Sequence, residues 1–564
     1  MDNLVINLAD FLKANYNSYA FFVEVVFGVF LLLPFVLWCF ERYFKIKITS
    51  FFLYFIPCVF FIFIKFATLF FIMLNPDEGF HFNVGLSLLQ GSNLYVDTDT
   101  ATTGLVNSFI LLIWFKIFGP SIFSMRLLTL IIEIVSFVLI QKSFRFYCDK
   151  WIAFALALYF LCYNSLYTMD VISFNCETTF YLFMSLFIFC FANQKKCMYQ
   201  YFCYITLGLM PFIKLQFVPI AMVLFLIMFI KNNRNLFDNF TKVDSSSFTQ
   251  ILFSRSNVIS LILSVFPLAL ITICFYFAGS LEWFFRLYFY NAFSHISSSF
   301  QDYLLNMCAL IKYMSKFMEF YPSFLPMIFA SFILLVTIFF KKFKKSYWLL
   351  IMLYFSIYFS VSRPLQPFNH YLNITMPTSL AVLAYIFSLN YVNNEKKIVV
   401  NHVVFRPFVL FWCISIVVFS VSFYSIDIKQ TVGALYTSTA NNIWLTISND
   451  IRINSNNDDK IVVWGWQNEI YPYSQRTSAT SQSDISFAVL DKYPLFNRDK
   501  YVYDIKKNKP KFIVDVVSPM SFKFKDKAFH IVNAKFMDEI MKDYYPFKKY
   551  KIMDDEIILY ARVD

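Results

Sequence analysis

The chain has 564 residues, of which 59% are hydrophobic, 21% are aromatic and only 15% are charged, and its formal net charge is +12. Its mean hydropathy is +0.58. This apolar content exceeds what one water-soluble core can bury, so the composition excludes an ordinary soluble protein and predicts an α-helical polytopic membrane protein.

The sequence also lacks the usual signatures of nucleotide, disulfide and metal sites. It has 10 glycines and no Gly-rich phosphate loop or dinucleotide fingerprint, so it does not support nucleotide chemistry. The 11 cysteines fall mostly inside apolar runs and none lies beyond Cys413, which favours packing residues over a disulfide framework. No CxxC or HExxH motif is present.

Long apolar runs recur along the first three quarters of the chain. Each has roughly 16 to 24 residues, the length needed for a hydrocarbon core of about 30 Å. The first run lies in a separate N-terminal segment, 1–50, and the others form a membrane domain over 51–426. The runs predict about twelve spanning helices, at 21–40, 51–74, 124–143, 151–168, 177–192, 198–213, 215–230, 257–278, 322–340, 346–361, 372–389 and 405–425.

Positive charge is concentrated in every second loop between these spans. Because short cytoplasmic loops retain lysine and arginine, these loops are expected to face the cytoplasm. The net charge is therefore mainly a topology signal, and we expect no nucleic-acid partner. We expect the following to lie on the opposite, outer side of the membrane: segments 75–123 and 170–177, Lys214, and segments 279–321 and 362–371. The basic residues are Arg42, Lys45, Lys47, Lys142, Arg145, Lys150, Lys195, Lys196, Lys231, Arg234, Lys242, Arg255, Lys341, Lys342, Lys344, Lys345, Lys396, Lys397 and Arg406.

The alternation of loops holds only if the apolar segment 104–118 does not cross the membrane. The segment is short and carries Lys116, so it is predicted to lie along the outer membrane surface as an interfacial helix. A crossing at this point would place every later basic loop outside.

The character of the chain changes at about Asp427. Residues 430–564 are rich in Asn, Asp, Lys and Ser and contain short β-type runs at 461–466, 511–517 and 556–563. Helical candidates lie near 484–493 and 534–542. The segment 427–564 is therefore predicted to form a soluble α/β domain on the outer side.

The first outer segment carries two adjacent acids directly after a predicted span. Asn75 can cap a helix that begins at Pro76, with Glu78 three positions after the cap and Gly91 as its stop. On this structural interpretation, Asp77 and Glu78 are only favourable acids in a first helical turn. On the chemical one, a carboxylate at the membrane boundary acts as a general base toward an acceptor hydroxyl.

The same residues resemble a known enzyme family. The string NPDEGFHFNVGLSLLQGSNLYVD, followed by LLIWFKIFGPSIFSMRLL, is similar to the first outer loop of GT-C glycosyltransferases. The bacterial relatives of protein O-mannosyltransferases and of the lipid A aminoarabinose transferase are the most similar members. The matching positions are Asp77, Glu78, Tyr95, Asp97, Phe118, Gly119 and Arg126.

The resemblance implies further site residues along the chain. A second acidic position matches Glu177 or Asp170 in TMDVISFNCETTFYLF, and a lysine after a glycine-containing helix matches Lys214. The late "HY…P" pattern matches His370, Tyr371 and Pro377. The tail VVWGWQNEIYPYSQRTSAT is similar to the opening of the periplasmic domain of these transferases.

One departure concerns the donor phosphate. Relatives commonly carry a lysine and prolines where this chain has Thr100, Ala101, Thr102, Thr103 and Gly104. The phosphate is then expected to be held by other cations, for which the candidates are Lys214, Arg286, Arg363 and His370. Each also has a structural explanation, because Lys214 and Arg363 can snorkel to the interface, Arg286 can pair with Glu282, and His370 can cap a helix.

The resemblance implies an inverting glycosyltransferase in the inner or plasma membrane. The implied donor is a polyprenyl-phosphate sugar, and the acceptor a cell-envelope glycolipid, glycan or protein. Asp77 is expected to be the base, with Glu177 or Asp170 and Glu78 orienting the acceptor or sugar. No cofactor is certain, and a divalent metal is left open.

Two other functions remain open from the sequence. A lipid-linked sugar flippase or transporter would spread its charged residues through the spans, as Glu24, Lys65 and Glu133 are. An outer-face glycan ligase or polymerase would use a large loop, for which the stretch 279–321 is the candidate. The sugar, the acceptor and the oligomeric state do not follow from the sequence.

Overall fold

The structure is a computed structural model that describes residues 15–70, 74–233, 253–294, 301–302, 304–306, 308, 321–340, 346–362, 369–389, 402–425, 442–521, 523–552 and 555–563. The N-terminal three quarters are helical, and each predicted span overlaps one helix. The helices are α1 Tyr16–Tyr43, α2 Ser50–Lys65, α3 Pro76–Leu89, α4 Leu105–Phe118, α5 Ile122–Phe144, α6 Lys150–Asn164, α7 Met169–Ile172, α8 Cys176–Ala192, α9 Cys197–Leu209, α10 Val218–Asn232, α11 Arg255–Phe277, α12 Leu281–Trp283, α13 Asn291–Ser294, α14 Tyr321–Phe340, α15 Ser346–Ser362, α16 Thr375–Leu389 and α17 His402–Ser425.

Several of these helices are long and apolar enough to cross a membrane. In the part of the chain that the structure describes, five helical segments meet this condition: Asn17–Tyr43, Ser50–Phe70, Ile122–Phe144, Leu215–Asn232 and Arg255–Phe277. Shorter apolar helices accompany them, including α4, α6 and α8. The chain is therefore a multi-pass membrane protein, and the number of crossings remains a prediction.

Helix α6 lies at the centre of the helical part. Every side chain from Ile152 to Asn164 is buried, so this helix is apolar on all sides and surrounded by other helices. Its Tyr159 hydroxyl donates to the Pro322 carbonyl at 2.7 Å. Helix α5 packs against α6 and against α8, and α5 and α8 carry Arg126 and Glu177 near their N-terminal ends.

The C-terminal part is a small α/β domain with helices α18 Ile443–Ile453, α19 Ile470–Ser474, α20 Ser486–Val489, α21 Leu495–Asn508 and α22 Asp538–Met541. Its strands are β1 Ile461–Trp464, β2 Phe512–Asp515, β3 Tyr544–Ile552 and β4 Asp555–Arg562. The sheet order is β1-β2-β4-β3, with β1 parallel to β2 and the other pairs antiparallel. Alternate residues of β1 and β2 point to two separate apolar cores, so both faces of the sheet are covered.

The sequence predicted three of these strands and missed β3. Its residues YYPFKKYKI contain three lysines and a proline, and most of them are exposed. Strand β3 lies at the edge of the sheet, where Pro and Lys are tolerated because one side needs no ladder partner. An exposed edge strand lacks the apolar run that the other strands show.

The α/β domain is fixed to the first segment after α2. The Asn83 amide on α3 donates to Ser483 Oγ at 2.7 Å, and its oxygen accepts from the Ser478 backbone N–H at 3.0 Å. Next to it, Gly79 lies so close to Asn468 that an added Cβ would meet the Asn468 carbonyl carbon at 2.6 Å. The domain therefore rests directly on the helix that carries Asp77 in its first turn.

Candidate active site

Helix α3 begins as the sequence predicts, and its cap brings two candidate acids together. Asn75 Oδ1 accepts from the Asp77 backbone N–H at 2.9 Å, and Pro76 occupies the first turn. The Asn75 side-chain amide donates to Asp170 Oδ1 at 3.0 Å. One capping residue thus links the first outer segment to helix α7.

A cavity of about 290 Å³ lies between the helical part and the α/β domain. It contains five of the candidate residues: Asp77, Asp170, Glu177, Lys214 and His370. These come from segments distant in sequence, so the fold has assembled them. The complete lining is Asn75, Pro76, Asp77, Phe80, His81, Ala101, Thr102, Thr103, Asp170, Asn175, Cys176, Glu177, Lys214, His370, Tyr371, Trp466, Asn468, Asp484, Ser486, Phe487, Tyr493 and Lys523.

His370 lies between two carboxylates of this cavity. Its Nε2 is 3.8 Å from Asp77 Oδ2, and its Nδ1 is 3.9 Å from Asp170 Oδ1. The Asp77 side chain is 42% exposed, whereas that of Asp170 is 26% exposed. Burial, with the neighbouring Asp77 and Glu177 carboxylates, raises the pKa of Asp170. Asp77 is thus the more accessible of the two carboxylates.

Glu177 and Lys214 form a buried ion pair at the other side of the cavity. Lys214 Nζ is 3.1 Å from Glu177 Oε1, and their side chains are 8% and 1% exposed. The ammonium also lies 4.1 Å from the centre of the Tyr371 ring. Since a buried charge needs a partner, Glu177 keeps Lys214 charged inside the cavity.

The segment that departs from the family pattern contacts this lysine. Thr103 pairs with Lys214 in an antiparallel bridge, and the Gly104 backbone N–H donates to the Ile213 carbonyl at 2.7 Å. A Cβ on Gly104 would lie 1.8 Å from the Phe212 carbonyl oxygen, so only glycine permits this approach. Lys214 therefore sits beside the segment where relatives carry their lysine.

Glu78 is not part of the cavity lining. Its two oxygens accept from Arg126 Nε and Nη2, both at 3.0 Å, and the two side chains are 0% and 1% exposed. Arg126 also donates to the Thr68 carbonyl at 2.9 Å. The structure therefore places Glu78 in a buried bidentate ion pair with Arg126.

Of the two remaining cation candidates, Arg286 is described and does not line the cavity. Arg286 Nη2 lies 2.6 Å from Glu282 Oε1, and these side chains are 46% and 68% exposed. This is the i,i+4 pair that the sequence left as the alternative explanation, and Arg286 is absent from the cavity lining. Arg363 lies outside the described residues.

Sequence reasoning missed the share of the cavity that comes from the α/β domain. Trp466, Asn468, Asp484, Ser486 and Lys523 all line it. The first two fall within the string VVWGWQNEIYPYSQRTSAT, which was matched as the start of a domain without a role for its side chains. The available signal was that Trp466 and Asn468 carry polar groups in a loop directly after a buried strand, where binding residues are often found.

His81 also lines the cavity. Its side chain is buried, and burial lowers its pKa to about 4. Within the described ranges, His81 Nδ1 has no hydrogen-bond partner. No group of three or more His, Cys, Asp or Glu side chains is placed to hold a metal ion among the residues that were described, so we assign no step to a metal.

Comparison with known proteins agrees with this architecture. The family model for dolichyl-phosphate-mannose-protein mannosyltransferase matches residues 102–259. A search of curated proteins found no match. The matched residues include helices α4 to α10 and the candidates Asp170, Glu177 and Lys214.

Solved structures extend the likeness to nearly the whole chain. ArnT from Cupriavidus metallidurans bound to undecaprenyl phosphate is 12% identical with a TM-score of 0.53, over 91% of this chain and 99% of that one. Its apo state is 13% identical with a TM-score of 0.50, over 90% and 97%. An oligosaccharyltransferase from Archaeoglobus fulgidus is 12% identical with a TM-score of 0.43, over 93% and 75%. The chain thus has the GT-C fold that its sequence motifs predict, and its residues 102–259 are similar to the mannosyltransferase family.

Proposed function

We propose that the chain is an inverting glycosyltransferase that moves a sugar from a polyprenyl-phosphate donor to a cell-envelope acceptor on the outer face of the membrane. The observation that carries this proposal is the convergence of Asp77, Asp170, Glu177, Lys214 and His370 on one cavity. A related fold bound to undecaprenyl phosphate supports the class of donor. The cavity offers both an accessible carboxylate and cations, which are the two groups that this transfer requires.

The chemistry needs one base and one site for the leaving phosphate. The acceptor hydroxyl gives its proton to Asp77 while its oxygen forms a bond to the anomeric carbon of the sugar. The bond from that carbon to the phosphate oxygen breaks, and polyprenyl phosphate leaves with the electron pair. Attack opposite the leaving group inverts the anomeric centre. Lys214 and, when protonated, His370 stabilise the charge that grows on the phosphate.

The contacts divide these roles between the carboxylates. Glu177 is held by Lys214 at 3.1 Å and is fully buried, so it is suited to fix the lysine and not to receive a proton. Asp77 has the His370 imidazole as its neighbour at 3.8 Å and is the more exposed carboxylate. Asp170 accepts from Asn75 and lies on the far side of His370, where it can orient the imidazole.

The base assignment is tested with the Asp77→Asn variant of the full chain in detergent or liposomes. The donor is a radiolabelled chloroform–methanol lipid extract, and the acceptor an envelope-glycan extract, both from cells that lack the protein. Because general bases typically contribute about 10²- to 10⁴-fold, we expect the transfer rate to fall by about that factor. Binding of undecaprenyl phosphate should be retained.

The matched control is Asp499→Asn, which changes an exposed aspartate on the α/β domain. This variant should transfer at the wild-type rate. Wild-type transfer by Asp77→Asn would remove the base assignment. Absence of undecaprenyl phosphate binding by the wild-type chain would argue against the proposed donor.

A further inference from the structure

The α/β domain supplies one wall of the cavity that contains Asp77. Strand β1 ends at Trp464, and Gly465, at φ 133°, turns the chain toward the cavity. Trp466 and Asn468 follow directly and line it, together with Ser486 at the start of α20. The mechanism above uses none of these residues, because its base and its cations all come from the helical part.

Two side chains in this wall are buried without hydrogen-bond partners. Asn468 is 1% exposed, and neither its Nδ2 nor its Oδ1 has a partner within the described part of the chain. The Ser486 hydroxyl, in a residue that is 4% exposed, also has no partner at full hydrogen-bonding geometry among the described residues, and the Asp484 carboxylate is its polar neighbour. An unsatisfied buried polar group is destabilising, so its presence calls for an explanation. A ligand with hydroxyl groups would satisfy both.

Aromatic and charged groups complete the wall. The rings of Phe487 and Tyr493 lie 4.5 Å apart, and Lys523 Nζ lies 4.7 Å from the centre of the Trp466 ring. Asp484 Oδ1 accepts from the Ser486 backbone N–H at 2.7 Å, which holds the start of α20 in place. Aromatic faces beside a few fixed amide, hydroxyl and carboxylate groups suit a ligand with both apolar C–H faces and hydroxyls.

We propose that Asn468, Ser486 and the aromatic side chains of Trp466, Phe487 and Tyr493 form the subsite that binds the acceptor, and that this acceptor is a glycan. The sugar ring packs on the aromatic side chains, and its hydroxyls bond to Asn468 and Ser486. This inference rests on the proposed function, since it assigns the acceptor side of the same cavity.

The contact at Gly79 fixes this subsite relative to the base. Gly79 lies on α3 two positions after Asp77, and an added Cβ would meet Asn468 C at 2.6 Å and Glu469 N at 2.7 Å. These are backbone atoms, which cannot move aside as a side chain can. The loop with Asn468 is therefore seated directly on the helix of Asp77, and an alanine at Gly79 has to displace one from the other.

The test measures the transfer rate of Asn468→Ala and of Ser486→Ala over increasing amounts of the envelope-glycan extract. The labelled lipid extract is the donor. We expect the half-saturating amount of acceptor to rise about tenfold or more, the effect of losing about 1.4 kcal/mol of binding. Binding of undecaprenyl phosphate should stay unchanged. Because the Asn468 side chain makes no hydrogen bond within the described residues, its replacement should not lower the melting temperature.

The control is Asn456→Ala, which removes an exposed amide from the same domain and should leave acceptor saturation unchanged. Gly79→Ala should raise the half-saturating amount of acceptor while keeping undecaprenyl phosphate binding.

Wild-type acceptor saturation in both Asn468→Ala and Ser486→Ala would overturn the subsite. Transfer to proteins and none to glycans would overturn the acceptor class. Loss of undecaprenyl phosphate binding by the wild type would instead count against the proposed function.

Discussion

At the residue scale, the main feature of the cavity is a lysine whose positive charge is already balanced by a neighbouring carboxylate of the protein. Lys214 contacts Glu177 at 3.1 Å and lies over Tyr371. Removing one partner of a buried pair leaves the other charged and unpaired, which is more damaging than removing both. The stability role and the binding role of Lys214 can therefore be separated by mutation.

The variant Lys214→Met should lower the free energy of unfolding by about 3–5 kcal/mol, because Glu177 is left buried without its partner. The double variant Lys214→Met with Glu177→Leu should recover most of this loss. Neither variant should bind undecaprenyl phosphate at the wild-type level, because both lack the cation. Thermal unfolding measures the first effect, and native mass spectrometry with undecaprenyl phosphate measures the second.

The matched control is Lys500→Met in the α/β domain, where Lys500 pairs with Asp504 at 3.1 Å and both side chains are buried. It should lose similar stability and keep undecaprenyl phosphate binding. If the Lys214→Met and Glu177→Leu double variant bound the lipid as the wild type does, Lys214 would have no role at the phosphate.

The sequence located site residues by motif, and it could not assign their partners. Asp77 and Glu78 are adjacent, and nothing in the string NPDEG shows which carboxylate lines the cavity and which pairs with an arginine. One helical step turns Asp77 toward the cavity and Glu78 toward Arg126, which lies far along the chain. Such pairings depend on tertiary packing, so the local sequence pattern does not predict them. The assignment of catalytic roles remains a prediction.

At the scale of elements, two buried ion pairs hold the short helix α7 that carries Asp170. Lys65 Nζ lies 3.1 Å from Glu133 Oε1 and also donates to the Val171 carbonyl at 3.3 Å. Two residues later, Ser173 Oγ donates to Glu78 Oε2 at 3.3 Å. Lys65 and Glu133 were the charges that suggested a transport pathway, and in the structure they pair with each other.

We predict that Lys65 positions Asp170 in addition to stabilising the fold. Lys65→Met should lower the free energy of unfolding by about 3–5 kcal/mol, because Glu133 then stays buried and unpaired. Adding Glu133→Leu should restore stability without restoring the hydrogen bond to Val171. The double variant should therefore still turn over more slowly than the wild type, while it binds undecaprenyl phosphate normally.

The comparison variant is Lys150→Met, since Lys150 pairs with Glu41 at a partly exposed site. An exposed pair contributes at most about 1 kcal/mol, so stability and turnover should stay close to those of the wild type. Wild-type turnover in the Lys65→Met and Glu133→Leu double variant would show that the pair serves stability alone.

The length of the apolar runs was sufficient to predict most of the helices, because each long apolar run has one low-energy form in a membrane. Helix α4 shows the same agreement at a finer level. Its residues Phe109, Ile113 and Ile117 are 42%, 60% and 67% exposed, and their spacing of four puts them on one face. Leu111 and Phe115 are buried on another face. This pattern suits the predicted surface helix, although the position of α4 relative to the membrane remains a prediction.

At the scale of the whole molecule, the cavity exists only because two parts of the chain meet. Asn83 binds the Ser478 backbone and the Ser483 side chain, and Lys507 lies 3.2 Å from Asp97. A soluble domain so attached has to lie on the same side of the membrane as Asp77. The side itself follows from the distribution of lysine and arginine alone, and it can be measured.

We predict that the α/β domain and the cavity face outward and that the loop before α9 faces the cytoplasm. Cys197 begins α9 beside Lys195 and Lys196 and is exposed. A membrane-impermeant maleimide should label a single-cysteine form carrying Cys197 in inverted vesicles and not in spheroplasts. A single-cysteine form with Asp499→Cys, on the exposed surface of the α/β domain, should show the opposite pattern. Labelling of Cys197 and of Asp499→Cys from the same side would contradict the predicted number of crossings between them. A reversed pattern would place transfer on the cytoplasmic face.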